Sequence, residues 1–158
     1  MATQCDSEGH RLLAVIDVGT TSIRMTIAEA EDGNARVLEE LQQAVTLGRE
    51  TFTSGRISAE SVEQCVTVLK SFRDVLAQYR VPLDRRHVRS VATNAVREAS
   101  NQEAFIDRVY IGADFEVNVL DDAEVNRFTY LSVLPFQNHV PPRAGSDTLV
   151  MEVGGGHT

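Results

Sequence analysis

Apolar and polar residues alternate along this chain with two different periods. Leu12 to Ile16 are apolar without a break, Asp17 interrupts them, and Gly19, Thr20, Thr21 and Ser22 follow. Ile23, Met25 and Ile27 then alternate with Arg24, Thr26 and Ala28. A strand, a tight turn and a returning strand explain that order, because the first run is that of a buried strand and the second has the two-residue period of a half-buried one. Glu31-Asp32-Gly33-Asn34 reads as a further turn, and Ala35 to Leu47 as a third antiparallel strand bulged at Gln42-Gln43. Gly48 to Gly55 is polar, with a glycine at each end, and reads as a connector.

The period then changes. From Ala59 to Tyr79 the apolar residues Val62, Cys65, Val66, Leu69, Phe72, Val75, Leu76 and Tyr79 recur every three or four positions, with Ser58 placed to cap. This predicts a helix laid over a sheet. Val88 to Thr93 predicts a strand, 102–110 a second helix, 115–120 a fifth strand, and 121–133 a third helix capped by Asp121 or Asp122. The residues 135–146, with Pro141-Pro142, have linker composition, and Thr148 to Val153 reads as another strand. Three antiparallel strands followed by strands joined through helices describe an α/β fold with a mixed five-stranded sheet and helices on both faces. The expected organisation is a disordered tail (1–10), a first domain (11–134), a linker (135–146), and the first strand and glycine loop of a second domain (147–158). On this reading the chain is a piece of a longer protein.

Composition narrows the function. A formal charge of −8 argues against a broad nucleic-acid-binding face, and no apolar run reaches the ~18 residues of a membrane span. A cytoplasmic location is expected. Cys5 and Cys65 have neither metal-ligand spacing nor the pattern of a disulfide framework, and Cys65 reads as a small core hydrophobe. The histidines at 10, 87, 139 and 157 read as solvent-exposed or linker residues. Arg80, Arg85, Arg86, Arg89 and Arg97 crowd one stretch, most simply a solvated face.

The chemistry lies in a repeated pattern. Asp17-Val18-Gly19-Thr20 ends one apolar run, and Glu152-Val153-Gly154-Gly155-Gly156-His157-Thr158 ends another, about 135 residues later. Each is a strand, an acid and a glycine turn, and consecutive N–H groups at such turns form concavities for anions. Two such loops facing one cleft would cradle phosphates.

Four segments carry a resemblance: Asp17-Val18-Gly19-Thr20-Thr21-Ser22, Ala92-Thr93-Asn94-Ala95-Val96-Arg97-Glu98, Glu124-Val125-Asn126-Arg127 with Tyr130-Leu131, and Glu152 to Gly156. In order and spacing they resemble the exopolyphosphatase and guanosine pentaphosphate phosphohydrolase family, of the actin, Hsp70 and sugar kinase fold superfamily. The resemblance implies an RNase H-like, actin-like ATPase domain and a metal-dependent phosphoanhydride hydrolase. Its substrate would be polyphosphate or a guanosine polyphosphate, with Mg²⁺ or Mn²⁺ as cofactor. Thr21 departs from the family's usual Asn, and Glu152 and His157 from its Asp and Ser.

The same resemblance implies the roles. Glu124 would be the general base on water, a role that needs partial burial or nearby acids such as Asp121 and Asp122 to make it basic enough, and Asp122 is the alternative base. Arg97 would grip the terminal phosphate; read without the family, it is a surface Arg pairing with Glu98 or Asp107. Asp17, Gly19, Thr20, Thr21, Ser22, Thr93, Gly154, Gly155 and Gly156 would contact substrate, and Glu152 and Asp17 the metal. Two other classes remain open at this stage: a sugar kinase-like phosphotransferase, for which Thr21 speaks, and a non-catalytic phosphate or nucleotide sensor, for which Glu152 and His157 speak. A homodimer of the full-length protein is likewise left open.

Overall fold

A computed structural model describes residues 11–31, 34–137 and 149–151. The elements in order are β1 (Arg11–Val18), β2 (Ser22–Glu31), β3 (Asn34–Ala44), α1 (Leu47–Ser54), α2 (Ala59–Gln78), β4 (Val88–Ala92), α3 (Asn94–Arg97), α4 (Gln102–Ala113), β5 (Val117–Val119) and α5 (Asp122–Gln137). The strands form one sheet in the order β3-β2-β1-β4-β5. The β1–β2 and β2–β3 pairs are antiparallel, while β4 lies parallel to both β1 and β5.

One face of the sheet holds the core. Ala14, Ile16 and Val18 of β1 and Ile23, Met25 and Ile27 of β2 are buried together with Cys65, Leu69, Phe72 and Leu76 of α2 and Phe105 and Val109 of α4. Removing Phe72, which is 2% exposed, would cost about 3–5 kcal/mol in lost burial and cavity formation. Helices α2 and α4 approach closely where Gly112 faces Val66: a Cβ there would lie 2.6 Å from Val66 Cγ1. Ser58 caps α2 by accepting from the Ser61 N–H at 3.2 Å. The far end of α2 closes with Arg80 in the left-handed region (φ 58°) and Val81 N–H donating to the Leu76 carbonyl at 2.9 Å.

The alternation explains Asp17. It sits between buried Ile16 and Val18 but points to the other face, opposite Arg24 and beside Val91 in the register. Val15, on that same face, is half-exposed, so the apolar run of β1 is not buried on both sides by the described residues.

Five local expectations are corrected. The 48–55 connector is helical: α1 buries only Leu47, Gly48 and Thr51, too few for a readable period. The sheet irregularity falls between Ile27 and Ala28, opposite Glu39 and Val37, so the extra residue is Leu38 rather than Gln42-Gln43. Helix α5 runs through Pro135 into the expected linker; Pro cannot donate back, but it only removes one bond near the helix end. His87 is partly buried and its Nδ1 lies 2.8 Å from Asp84 Oδ1 rather than in solvent. Leu149 to Met151 form neither helix nor strand. The tail, Asp32-Gly33, the segment 138–148 and the residues after Met151 lie outside the described residues.

Candidate active site

Because β1, β4 and β5 are adjacent and parallel, their carboxyl ends share one edge of the sheet, and the segments leaving them meet there. Ligand sites of open α/β sheets form at that edge. Leu120 N–H donates to the Ala92 carbonyl at 2.9 Å and ties the exits of β5 and β4 together.

The Gly19 turn is held from behind. Gly19 N–H donates to the Ser22 carbonyl at 3.0 Å, Val45 N–H to the Thr21 carbonyl at 2.9 Å and Gly48 N–H to the Thr20 carbonyl at 2.9 Å. In a trans peptide C=O and N–H point in opposite directions. Anchoring those two carbonyls on the β3–α1 joint therefore turns the N–H groups of Thr21 and Ser22 away from it. Asp17 stands at the mouth of the turn: its Oδ2 would lie 3.8 Å from a Cβ on Gly19.

Arg97 comes from the one-turn helix α3 directly after β4; Thr93 precedes that helix, and its carbonyl accepts from the Val96 and Arg97 N–H groups at 3.1 and 3.0 Å. Its side chain is 20% exposed and well held. Nη1 donates to the Leu120 carbonyl at 3.0 Å, and Nη2 donates to Asn94 Oδ1 at 2.9 Å and to Asp122 Oδ1 at 2.6 Å. Nε reaches Glu98 Oε1 at 3.4 Å. The expected surface pairing thus holds for Glu98, and Asp122 takes the place given to Asp107.

Glu124 is occupied differently. Asp121 N–H donates to Glu124 Oε2 at 3.1 Å, and Glu124 N–H donates to Asp121 Oδ1 at 2.8 Å. This is a reciprocal capping box, which fixes Asp121 rather than Asp122 as the cap of α5.

One sheet edge therefore gathers Asp17, Gly19, Thr20, Thr21, Ser22, Thr93, Arg97 and Glu124. Glu152, Gly154, Gly155, Gly156 and His157 lie outside the described residues. Sequence reasoning missed Asp122 as the direct partner of Arg97 and Gly48 as a support of the Gly19 turn. The paired acids at 121–122 were a signal for the first; nothing in the sequence marked the second. Among the described residues no group of three or more His, Cys, Asp or Glu could hold a metal ion. No helix among them is long and apolar enough to cross a membrane. A pocket of about 350 Å³ lined by Leu83, Arg85, Arg89 and Tyr110 opens at the amino end of β4, away from these residues.

The five-stranded mixed sheet in the order β3-β2-β1-β4-β5, with its helices, is an actin-like, RNase H-like α/β fold. Residues 26–158 match the model of the Ppx/GppA phosphatase family, and the chain belongs to that family. It is 24% identical over 145 residues to Exopolyphosphatase 1 of Mycobacterium tuberculosis, covering 91% of this chain and 40% of that protein. It is 25% identical over 152 residues to a bifunctional 3-dehydroquinate synthase/phosphatase of Fusobacterium nucleatum, covering 93% of this chain and 22% of that protein. Among solved structures, an exopolyphosphatase from Cytophaga hutchinsonii is 30% identical with a TM-score of 0.72, over 83% of this chain and 40% of that one. The Aquifex aeolicus family member is 31% identical with a TM-score of 0.71, over 78% and 39%. The chain thus spans less than half the length of these relatives.

Proposed function

We propose that this chain supplies one wall of the active site of a metal-dependent phosphoanhydride hydrolase that releases orthophosphate from the end of polyphosphate or from guanosine pentaphosphate. The observation that carries the reading is the convergence of the Asp17–Ser22 turn with Arg97 at the carboxyl edge of the sheet. Phosphoanhydride hydrolysis asks mainly for positioning and charge neutralisation. The outward N–H groups of Thr21 and Ser22 suit phosphate oxygens. Arg97, braced by Leu120 and Asn94, offers its remaining donors to the terminal group. Thr93 would contact the same group from the β4 exit, and Gly154, Gly155 and Gly156 would complete the cradle.

Asp17 and Glu152 would hold a divalent cation. A single partly exposed carboxylate at a strand end fits Mg²⁺, which is commonly bound by one or two carboxylates, waters and substrate phosphates. Bound there, the ion would neutralise charge on the bridging phosphates.

The base on water is a carboxylate of the first turn of α5. Asp122 is the acid in contact with Arg97, while Glu124 accepts the Asp121 N–H through Oε2 and keeps Oε1 for a water. Glu124→Gln and Asp122→Asn, each assayed for turnover, assign the role: the one that lowers kcat by about two or more orders of magnitude without loss of folding carries it.

The reading is tested by incubating the full-length protein with polyphosphate or guanosine pentaphosphate and Mg²⁺ in the absence of any sugar. Orthophosphate release is expected. Transfer of the phosphoryl group to an added acceptor, with no orthophosphate released in its absence, would make it a phosphotransferase of the sugar kinase type, and tight binding without hydrolysis a sensor. The capping box around Glu124 is the observation that favours a sensor.

A further inference from the structure

We propose that Gly48, at the start of α1, is a positioning residue that sets the Thr20 side chain within the anion-facing turn; the inference rests on the turn's phosphate-binding role proposed above. The Gly48 N–H holds the Thr20 carbonyl at 2.9 Å, so the backbones of helix and turn are pinned together. A Cβ on Gly48 would lie 1.9 Å from Thr20 Cγ2 and 3.2 Å from Thr20 Cβ. The Thr20 methyl therefore occupies the notch that the missing Gly48 side chain leaves. Thr is β-branched and has one side-chain torsion, so seating its methyl fixes the direction of its hydroxyl. The third near neighbour of that Cβ, Phe52 Cε2 at 3.2 Å, belongs to a half-exposed ring that can move aside, which leaves Thr20 as the contact that must change.

An added methyl at Gly48 has two outlets. Thr20 rotates and re-aims its hydroxyl, or the turn withdraws from α1 and gives up the 2.9 Å bond along with the direction of the Thr21 N–H. Either one alters what the turn presents to an anion, without touching the anion itself.

The test uses three variants of this chain: Gly48→Ala, Thr20→Ser, and the two combined. Serine keeps the hydroxyl and removes the methyl that collides. Amide chemical shifts of Gly19 to Ser22 are recorded without ligand, and pyrophosphate is titrated with Mg²⁺. Gly48→Ala should shift those amides and weaken pyrophosphate binding about tenfold or more. Thr20→Ser alone should weaken binding only a few-fold, because its hydroxyl is freed but not displaced. The double variant should return the amide shifts and the affinity to those of Thr20→Ser. If Gly48→Ala does not fold, recovery of folding in the double variant supports the proposal and continued failure to fold overturns it. Wild-type amide shifts in a folded Gly48→Ala, or a folded double variant that stays as impaired as Gly48→Ala, also overturn it. A wild-type chain that binds no pyrophosphate would sink the phosphate reading, and the amide shifts would still decide the positioning role.

Discussion

Asp122 Oδ1 lies 2.6 Å from Arg97 Nη2, and the two partners are unequal: the Asp122 side chain is 81% exposed, the Arg97 side chain 20%. Arg97 keeps its bonds to the Leu120 carbonyl and Asn94 Oδ1 if Asp122 leaves. An exposed ion pair of this kind contributes about 0–1 kcal/mol, so on the role proposed for Arg97 a phosphate would displace Asp122 from a guanidinium already in place.

Asp122→Asn should accordingly tighten pyrophosphate binding, by roughly two- to fivefold given that energy range. Calorimetric titration of wild type and variant measures it. Unchanged or weaker binding would mean that the phosphate does not meet Arg97 where Asp122 does. In a turnover assay the same substitution should lower KM; a fall in kcat beside it would mark a role in the reaction as well as competition for Arg97.

Asn101 joins two corners of the structure. Its Oδ1 accepts from Ile57 N–H at 3.0 Å and its Nδ2 donates to the Ile57 carbonyl at 2.9 Å, across 44 residues of sequence. This bracket holds the α1–α2 turn against the start of α4, which in turn fixes α1 behind the Gly19 turn. Asn101→Ala should destabilise the fold by about 2 kcal/mol, because both Ile57 backbone groups lose their partner. In thermal unfolding that is a fall of about 4–8 °C. Asn101→Asp keeps the acceptor and loses the donor, so it should fall between the two. A melting temperature unchanged in Asn101→Ala would show that solvent replaces both bonds without loss.

Much of this fold could be read from the pattern of residues. The β1–β2 hairpin showed itself through Asp17 and Gly19, α2 through its three- and four-residue spacing, and the later strands through β-branched runs. Helix α1 did not, because it contacts the rest through a glycine, a threonine and a single leucine. The bulge at Leu38 left no trace, since neither side of it carries a glycine or a change of period. At the site, residue types and order located the sheet edge. They could not reveal that Arg97 bonds to an acid 25 residues away, or that Gly48 matters for what it lacks. Those are facts of approach between elements, which no local pattern records.

Stability should respond to acid through Glu50. Its carboxylate accepts the Ser58 N–H at 2.8 Å, the Ser58 hydroxyl at 3.0 Å and the Ser61 hydroxyl at 2.8 Å, bracing α1 against the cap of α2. The Ser58 N–H bond, with help from the two hydroxyls and against some desolvation, holds its pKa below the ordinary 4.5. With the folded value depressed, the contribution is complete above the unfolded pKa and is lost as pH falls through the folded one. Glu50→Gln should therefore be less stable than wild type near neutral pH, and the gap should narrow as the solution is acidified below about 4.5. Denaturant midpoints at several pH values measure it; a gap independent of pH would assign the effect to geometry rather than charge.

Cys65 offers a probe of the core. It is fully buried on α2, and burial, reinforced by the charge of Glu50, pushes its thiol up to about 12 from an ordinary 9.0. Three pH units mean about a thousandfold less thiolate than an exposed cysteine holds at the same pH, and the thiolate is the reactive form. In a Cys5→Ser variant, which leaves one cysteine, an aromatic disulfide reagent should label the native protein only as fast as the core opens. The rate should rise with denaturant in step with unfolding measured by circular dichroism. Fast labelling of the native protein, independent of denaturant, would mean that α2 exposes Cys65 by local fraying while the sheet stays intact. The packing of Val66 on α2 over Gly112 of α4 would then have to be weaker than its close fit implies.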